Sequence, residues 1–133
     1  MTTQPTPYEL FGGAEFFKSL VSAFYERVAR DQILRPMYPD EDLGPAEDRL
    51  LMFLEQYWGG PKTYGDQRGH PRLRMRHAPY PVDSIARDRW LILMHDSLTE
   101  QKLPAAYEEE LWQYFVAAAF GMQNIYDDRP SPI

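Results

Sequence analysis

Three histidines are the residues of this chain whose type best suits metal chemistry. Imidazole is the commonest protein ligand for metal ions and also serves as an axial ligand of haem iron. His77 lies in a segment with room for about one helical turn, and Pro79 fixes the direction in which the chain leaves it. We therefore take His77 as the candidate ligand, against the alternative of a loop histidine on a basic surface. His70 is typical of a turn, and His95 beside Asp96 favours partial burial or pairing; a three-histidine zinc site lacks the close helical spacing that would specify it.

A long segment around His77 is rich in arginine. The chain from Gly59 to Pro81 contains four glycines, four prolines and the arginines 68, 72, 74 and 76. A loop of this length in a compact domain is usually functional or disordered, and we predict that this one is functional. If the cofactor is a haem, Arg49 and Arg76 are candidates to pair with its two propionates, because guanidinium donates two parallel hydrogen bonds to a carboxylate. The alternative is a solvated basic face, or a patch for an anion or a partner.

Aromatic residues with a polar atom could supply hydrogen-bond donors to a bound ligand. Tyr25 and Trp90 fall on the apolar faces of two predicted helices, and Tyr38 follows the first of these helices in Met37–Pro39. Such donors can each satisfy a nearby carbonyl, or together form a polar cluster inside an apolar cavity. The second arrangement is the one that a bound, partly negative dioxygen molecule requires.

Composition narrows the class of protein. With 133 residues, 44% of them hydrophobic and 14% aromatic, the chain is predicted to form a single domain over 1–133, with frayed ends at 1–7 and 127–133. The formal net charge of −6 argues against nucleic-acid binding. The lack of cysteine excludes thiolate metal sites and covalent haem attachment. We find no secretory signal and no integral membrane segment, so we predict a cytoplasmic protein.

Four segments show the three-four spacing of apolar residues that indicates a helix with one buried face. Their predicted bounds are Ala14–Arg30, Pro45–Trp58, Val82–Gln101 and Pro104–Tyr126. No stretch alternates with a period of two, so a sheet is not predicted. The fold class is therefore all-α.

Several motifs resemble the group II truncated haemoglobins of bacteria. They are Leu34–Pro39 (LRPMYP), Phe53–Pro61 (FLEQYWGGP), Gly69–Pro79 (GHPRLRMRHAP) and the pair Arg89–Trp90, with Gly12–Gly13 resembling that family's helix junction. Together they extend over nearly the whole chain between the predicted frayed ends. The resemblance implies a globin-like two-over-two helical sandwich that holds a non-covalent haem b.

The resemblance also implies roles for particular residues. His77 would be the axial iron ligand, while Tyr25, Tyr38 and Trp90 would stabilise a ligand on the distal side. Ala46 matches the position at which many globins carry a distal histidine or glutamine, so it would leave that entrance open. The residues predicted to contact the haem are His77, Arg76, Arg49, Phe24, Leu50, Phe53, Leu54, Met75, Tyr80 and Ala46.

The function implied is the binding of dioxygen, carbon monoxide, nitric oxide or peroxide, with slow release of dioxygen. Slow release favours chemistry on the bound ligand, such as oxidation of nitric oxide to nitrate or a peroxidase-like reaction, and requires an unidentified reductase. Oxygen storage or sensing without turnover remains an alternative, as does a haem-free all-α interaction module. A homodimer is left open.

Overall fold

The structure, a computed structural model, describes residues 4–126. In this range the chain forms seven α-helices, a 3-10 turn at Arg35–Met37 and no strand. The helices are α1 (Pro7–Phe11), α2 (Gly13–Ala29), α3 (Gly44–Tyr57), α4 (Thr63–Arg68), α5 (Leu73–His77), α6 (Ser84–Glu100) and α7 (Ala105–Met122). The all-α prediction is confirmed. Of the predicted frayed ends, residues 1–3 and 127–133 lie outside the described range.

The four predicted helices correspond to α2, α3, α6 and α7. Pro45 lies in the first turn of α3 as predicted, and the side chain of Asp83 caps α6 by accepting a hydrogen bond from the Ala86 N–H. The prediction was wrong at the end of α7, which stops at Met122 rather than at Tyr126. The backbone becomes extended at Gln123. The N–H of Asn124 donates to the carbonyl of Val82 and not to a carbonyl of the preceding helical turn.

Helix α1 was not predicted. Pro7 is the first residue of α1 rather than the last of a loose arm, and the Thr6 hydroxyl accepts a hydrogen bond from the Glu9 N–H at 3.3 Å. Gly12 then joins α1 to α2 with a φ of +122°, and a Cβ added there would lie 2.9 Å from the Cβ of Phe16. This junction therefore requires glycine.

The long helices pack as two layers of two. Helix α2 packs against α3, α6 packs against α7, and α2 contacts α6 between the layers. The centre is formed by large side chains that are completely buried, among them Phe17, Leu20 and Phe24 of α2 and Met94 of α6. This is the predicted two-over-two sandwich. None of the helices between residues 4 and 126 combines the length and the apolarity that crossing a bilayer requires.

Candidate functional site

A cavity of about 570 Å³ opens between the helix layers. Its size lies within the range of small-molecule and cofactor sites, roughly 300–1,000 Å³. Most of the residues predicted to form the site contribute to its wall: Tyr25, Tyr38, Ala46, Arg49, Leu50, Phe53, Leu54, Arg76, His77, Tyr80 and Trp90. Residues far apart in the chain are thus brought to one place.

Two predicted contact residues do not line this cavity. Phe24 is fully buried behind the wall, with its ring 5.2 Å from the rings of both Tyr25 and Trp90. Met75 is 60% exposed and lines a separate pocket beside the end of α7. Because successive helical residues are about 100° apart, Met75 lies on nearly the opposite side of α5 from His77.

His77 ends α5 and has one ring nitrogen engaged. Its Nδ1 lies 2.7 Å from the carbonyl oxygen of Leu73, one helical turn earlier. Since a carbonyl can only accept, Nδ1 carries the proton, and in the neutral ring the lone pair is therefore on Nε2. An imidazole with a lone pair on Nε2, in the wall of a cavity, is the arrangement that a metal ligand needs.

The other two histidines are not part of the cavity wall. His70 accepts a hydrogen bond from the Arg72 N–H at 3.1 Å, as a turn residue does, and His95 is exposed with its Nδ1 3.9 Å from a carboxylate oxygen of Asp96. Among the residues from 4 to 126, no group of three or more histidine, aspartate or glutamate side chains could hold a metal ion. The zinc alternative thus has no site in the described chain.

Asn124, which follows α7, forms hydrogen bonds with the end of α5 and the residues after it. Its Nδ2 donates to the carbonyl oxygens of His77 at 3.3 Å and Tyr80 at 2.8 Å, and its Oδ1 accepts from the Val82 N–H at 2.8 Å. We call this set of contacts the Asn124 clasp. These contacts were not predicted, because the partners of Asn124 lie more than forty residues earlier in the chain and leave no local signal.

Tyr25 and Tyr38 form a pair of phenols in the cavity wall. Their rings meet edge to face, with centroids 5.8 Å apart. Burial raises the pKa of Tyr25 well above its ordinary value, and the hydroxyl of Tyr38 raises it further; burial likewise raises the pKa of Tyr38. Both groups therefore stay protonated at neutral pH and can donate.

Trp90 contributes a second kind of donor. Its ring packs against Phe24 and Phe115, at centroid distances of 5.2 and 5.9 Å. Its indole N–H makes no hydrogen bond to another group within residues 4–126. Trp90 lines the cavity, so this N–H could donate to a molecule bound there.

The chain between α2 and Tyr38 is ordered by Asp31, a residue that was not predicted to have a role. The Asp31 carboxylate accepts hydrogen bonds from the N–H groups of Leu34 at 2.8 Å and Ile33 at 3.1 Å, and from the Arg89 side chain. Burial alone would raise the pKa of the Asp31 carboxyl, but these three donors outweigh it and hold the pKa below its usual value. This buried charge fixes the turn that leads to Tyr38.

Arginines line one part of the cavity. The Arg76 Nε donates to the carbonyl of Pro71 at 2.7 Å and Nη2 donates to the carbonyl of Arg68 at 3.0 Å, which leaves Nη1 for another acceptor. Arg49 lines the cavity as well. The cavity therefore combines apolar walls with cationic groups that suit the acidic groups of a ligand.

Helices α4 and α7 supply wall residues that were not predicted. Tyr64 of α4 is buried, and its ring contacts Phe53 edge to face at 5.7 Å. Tyr114, Phe115 and Met122 of α7 also line the cavity. The apolar stripe of α7 marked its buried face, whereas nothing near Tyr64 indicated a helix.

Comparison with known proteins places this geometry among haemoglobins. The family model described as "Bacterial-like globin" matches residues 6–124. The chain is 39% identical over 118 residues to group 2 truncated hemoglobin YjbI of Bacillus subtilis (strain 168), covering 89% of this chain and 88% of that protein. Its structure resembles a thermostable hemoglobin from the actinobacterium Thermobifida fusca, with a TM-score of 0.90, 57% identity, and 91% and 98% of the two chains covered. It also resembles a truncated oxygen-avid haemoglobin from Bacillus subtilis, with a TM-score of 0.85, 38% identity, and 90% and 100% covered.

Proposed function

Because the chain belongs to the bacterial-like globins, and among them to the group II truncated haemoglobins, we propose that His77 holds a non-covalent haem b in the cavity and that the bound haem retains dioxygen for oxidation of nitric oxide. Membership in the family implies haem-based binding of small gaseous ligands such as dioxygen. We also propose that residues 1–133 form a single domain and that the protein is located in the cytoplasm.

The observation that carries the proposal is the hydrogen bond between His77 Nδ1 and the carbonyl of Leu73. It fixes the tautomer whose Nε2 can coordinate iron, and it orients the ring. The ring also lines the cavity, so a cofactor bound there would be within its reach. We therefore assign His77 as the axial ligand.

The remaining wall suits a porphyrin. Leu50, Phe53 and Leu54 offer an apolar surface from α3, while Arg49 and the free Nη1 of Arg76 can pair with propionates. Since the chain has no cysteine, covalent attachment through a thioether is not available. These side chains favour a haem held by coordination, packing and ion pairs.

The distal donors would slow the release of dioxygen. When bound, haem iron supplies the ligand site and the single electron with which dioxygen and nitric oxide combine to nitrate. A hydrogen bond to a charged group contributes about 1.5–3 kcal/mol, so two donors among Tyr25, Tyr38 and Trp90 would slow release by roughly two to four powers of ten. The likeness to an oxygen-avid haemoglobin supports slow release.

Slow release of dioxygen suits a reaction of the bound dioxygen better than its delivery to other molecules. Oxidation of nitric oxide consumes one electron for each nitrate formed, so a separate reductase has to restore the ferrous iron. Reduction of peroxide is the second reaction that the same donors could serve. We favour nitric oxide oxidation because Tyr25, Tyr38 and Trp90 line the cavity and could stabilise a bound, partly negative dioxygen.

The test begins with haem uptake by the purified protein. Titration with haemin is expected to give a Soret band, and a His77→Ala variant is expected to lose it or shift it strongly. The matched control is His70→Ala, which removes an exposed histidine of the same region that does not line the cavity. A wild-type protein that stays colourless would favour a haem-free interaction module, whereas a His77→Ala variant with an unchanged Soret band would overturn the assignment of His77 as the axial ligand.

Turnover is tested by mixing the oxygenated protein with nitric oxide. Rapid conversion to ferric protein with one nitrate formed for each haem is expected. An oxygenated form that does not react with nitric oxide would contradict the proposed chemistry and support storage or sensing.

A further inference from the structure

The positive charge of this acidic chain is concentrated beside the cavity. Residues 68–76, which we call the arginine segment, contain four arginines and no acidic residue. The rest of the chain has ten lysines and arginines against twenty acidic residues. A positive segment on a negative protein gives a strongly oriented electrostatic field.

The arginine segment is closed on itself by its own hydrogen bonds. The Arg76 side chain donates to the carbonyls of Arg68 and Pro71, which draws the two ends of the segment together. Arg68 and Arg76 both line the cavity. The positive charge is therefore held at the edge of the proposed haem site.

Two arginines of the segment are not used by the cavity. Arg72 and Arg74 are exposed, and neither lines the cavity that contains His77. Their guanidinium groups have no hydrogen-bond or ion-pair partner among residues 4–126. Propionates held by Arg49 and Arg76 would leave these two charges free for another molecule.

From these observations, and resting on the proposed function, we propose that the arginine segment docks an acidic electron-transfer protein that reduces the haem iron. The arginine segment attracts an acidic partner, whereas the other, mostly acidic faces of this chain repel it. Docking at the cavity edge brings the donor close to the group it reduces. In each encounter one electron passes to ferric iron, the partner is oxidised by one electron, and no bond is formed or broken.

The experiment compares two variants of equal net charge in the haem-loaded protein. Arg72→Glu/Arg74→Glu reverses the free charges of the arginine segment. Lys18→Glu/Arg30→Glu makes the same change of net charge at exposed positions of α2 and its C-terminal end, away from the cavity wall. The probe is an acidic flavodoxin, reduced photochemically, and the ferrous product is trapped with carbon monoxide.

For the wild-type protein, the second-order rate of reduction is expected to fall as ionic strength rises. The arginine-segment variant is expected to react at least about tenfold more slowly at low salt and to lose most of the salt dependence, since steering changes association rates by 10 to 1,000-fold. The control variant is expected to change far less. A second readout is the NMR titration of isotope-labelled flavodoxin with carbon monoxide-bound protein, in which only the arginine-segment variant should weaken binding.

Equal effects in the two variants, or a wild-type rate independent of salt, would overturn the docking site. Reduction by dithionite and the Soret band should be the same in all three proteins, which separates docking from the haem site itself. A protein that binds haem but fails the flavodoxin test leaves the proposed function standing. A protein that binds no haem overturns both.

Discussion

Removing the single indole N–H of Trp90 tests the distal site most directly. Trp90→Phe keeps an aromatic ring beside Phe24 and Phe115 but deletes a donor that has no partner within residues 4–126. No internal hydrogen bond of the described chain is lost with it. The change in ligand release therefore measures the donor alone.

The expected size follows from one hydrogen bond to a partly charged ligand. Loss of about 1.5–3 kcal/mol should raise the rate of dioxygen dissociation by about 10- to 150-fold. Dissociation of carbon monoxide should change far less, because bound carbon monoxide carries little negative charge. The selectivity for dioxygen distinguishes a lost hydrogen bond from a general loosening of the pocket.

The assay is stopped-flow displacement of bound dioxygen by excess carbon monoxide. The matched control is Trp112→Phe, since Trp112 packs edge to face on His95 at 4.9 Å and does not line the cavity. An increase below about threefold in Trp90→Phe would fall under the lower bound for such a bond and refute the reasoning. An equal increase in the Trp112 variant would refute it as well.

Two further predictions concern residues that support the site. Asp31→Asn should lower the free energy of unfolding by about 1–3 kcal/mol at pH 7, because the half-exposed Arg89 loses its ionic partner. Since folding lowers the pKa of Asp31, its contribution is complete above the ordinary carboxyl pKa of about 3.9 and is lost as the pH falls through the folded value, so the two urea-denaturation curves should converge in acid. Asn124→Ala should release the carbonyls of His77 and Tyr80, lower stability by about 1 kcal/mol and speed haemin transfer to apomyoglobin about fivefold.

Each of these variants has a control at an exposed position: Asp88 precedes Arg89 in α6, and Gln113 lies in α7, the helix before Asn124. Asp88→Asn removes an exposed carboxylate paired with Arg87, and its effect on stability should stay near zero at every pH. Gln113→Ala removes an exposed side-chain amide, so haemin transfer should be unchanged. A gap between the Asp31→Asn and wild-type curves that persists in acid, or a haemin transfer rate unaffected by Asn124→Ala, would contradict the roles assigned here.

Apolar periodicity predicted the long helices because their stability comes from one buried face. The three-four pattern of α2 includes Phe17, Leu20 and Phe24, and all three are completely buried. The start of α3 was readable from Pro45, whose ring suits the first turn of a helix. These signals are local, so a single sequence contains them.

The short helices were not predictable in the same way. Helix α1 has only five residues, and long-range contacts hold it: the Tyr8 N–H donates to the carbonyl of Trp58 at 2.8 Å, and the Tyr8 hydroxyl donates to Glu55 at 3.1 Å. An isolated helix of this length is unstable in water. Only the folded chain supplies the partners that stabilise it.

The candidate site was predictable in part. His77, Tyr38 and Trp90 were identified through motifs, whereas Asn124 and Asp31 are single polar residues whose partners are set by the fold. Phe24 and Met75 were predicted as contacts from the family resemblance, yet neither lines the cavity, although Tyr25 and Arg76 beside them do. On a helix, neighbours in sequence face different directions.

The partner of His77 Nδ1 has a consequence for the electronic character of the site. A carboxylate in that place would draw the proton away and make the imidazole partly anionic, whereas the amide carbonyl of Leu73 is a much weaker base and leaves the proton on Nδ1. A strongly electron-releasing axial ligand promotes cleavage of an O–O bond, as thiolate ligation illustrates. A neutral imidazole exerts a weaker push, so with the proposed haem bound through His77 we expect the O–O bond of bound dioxygen to stay intact until a second molecule reaches it.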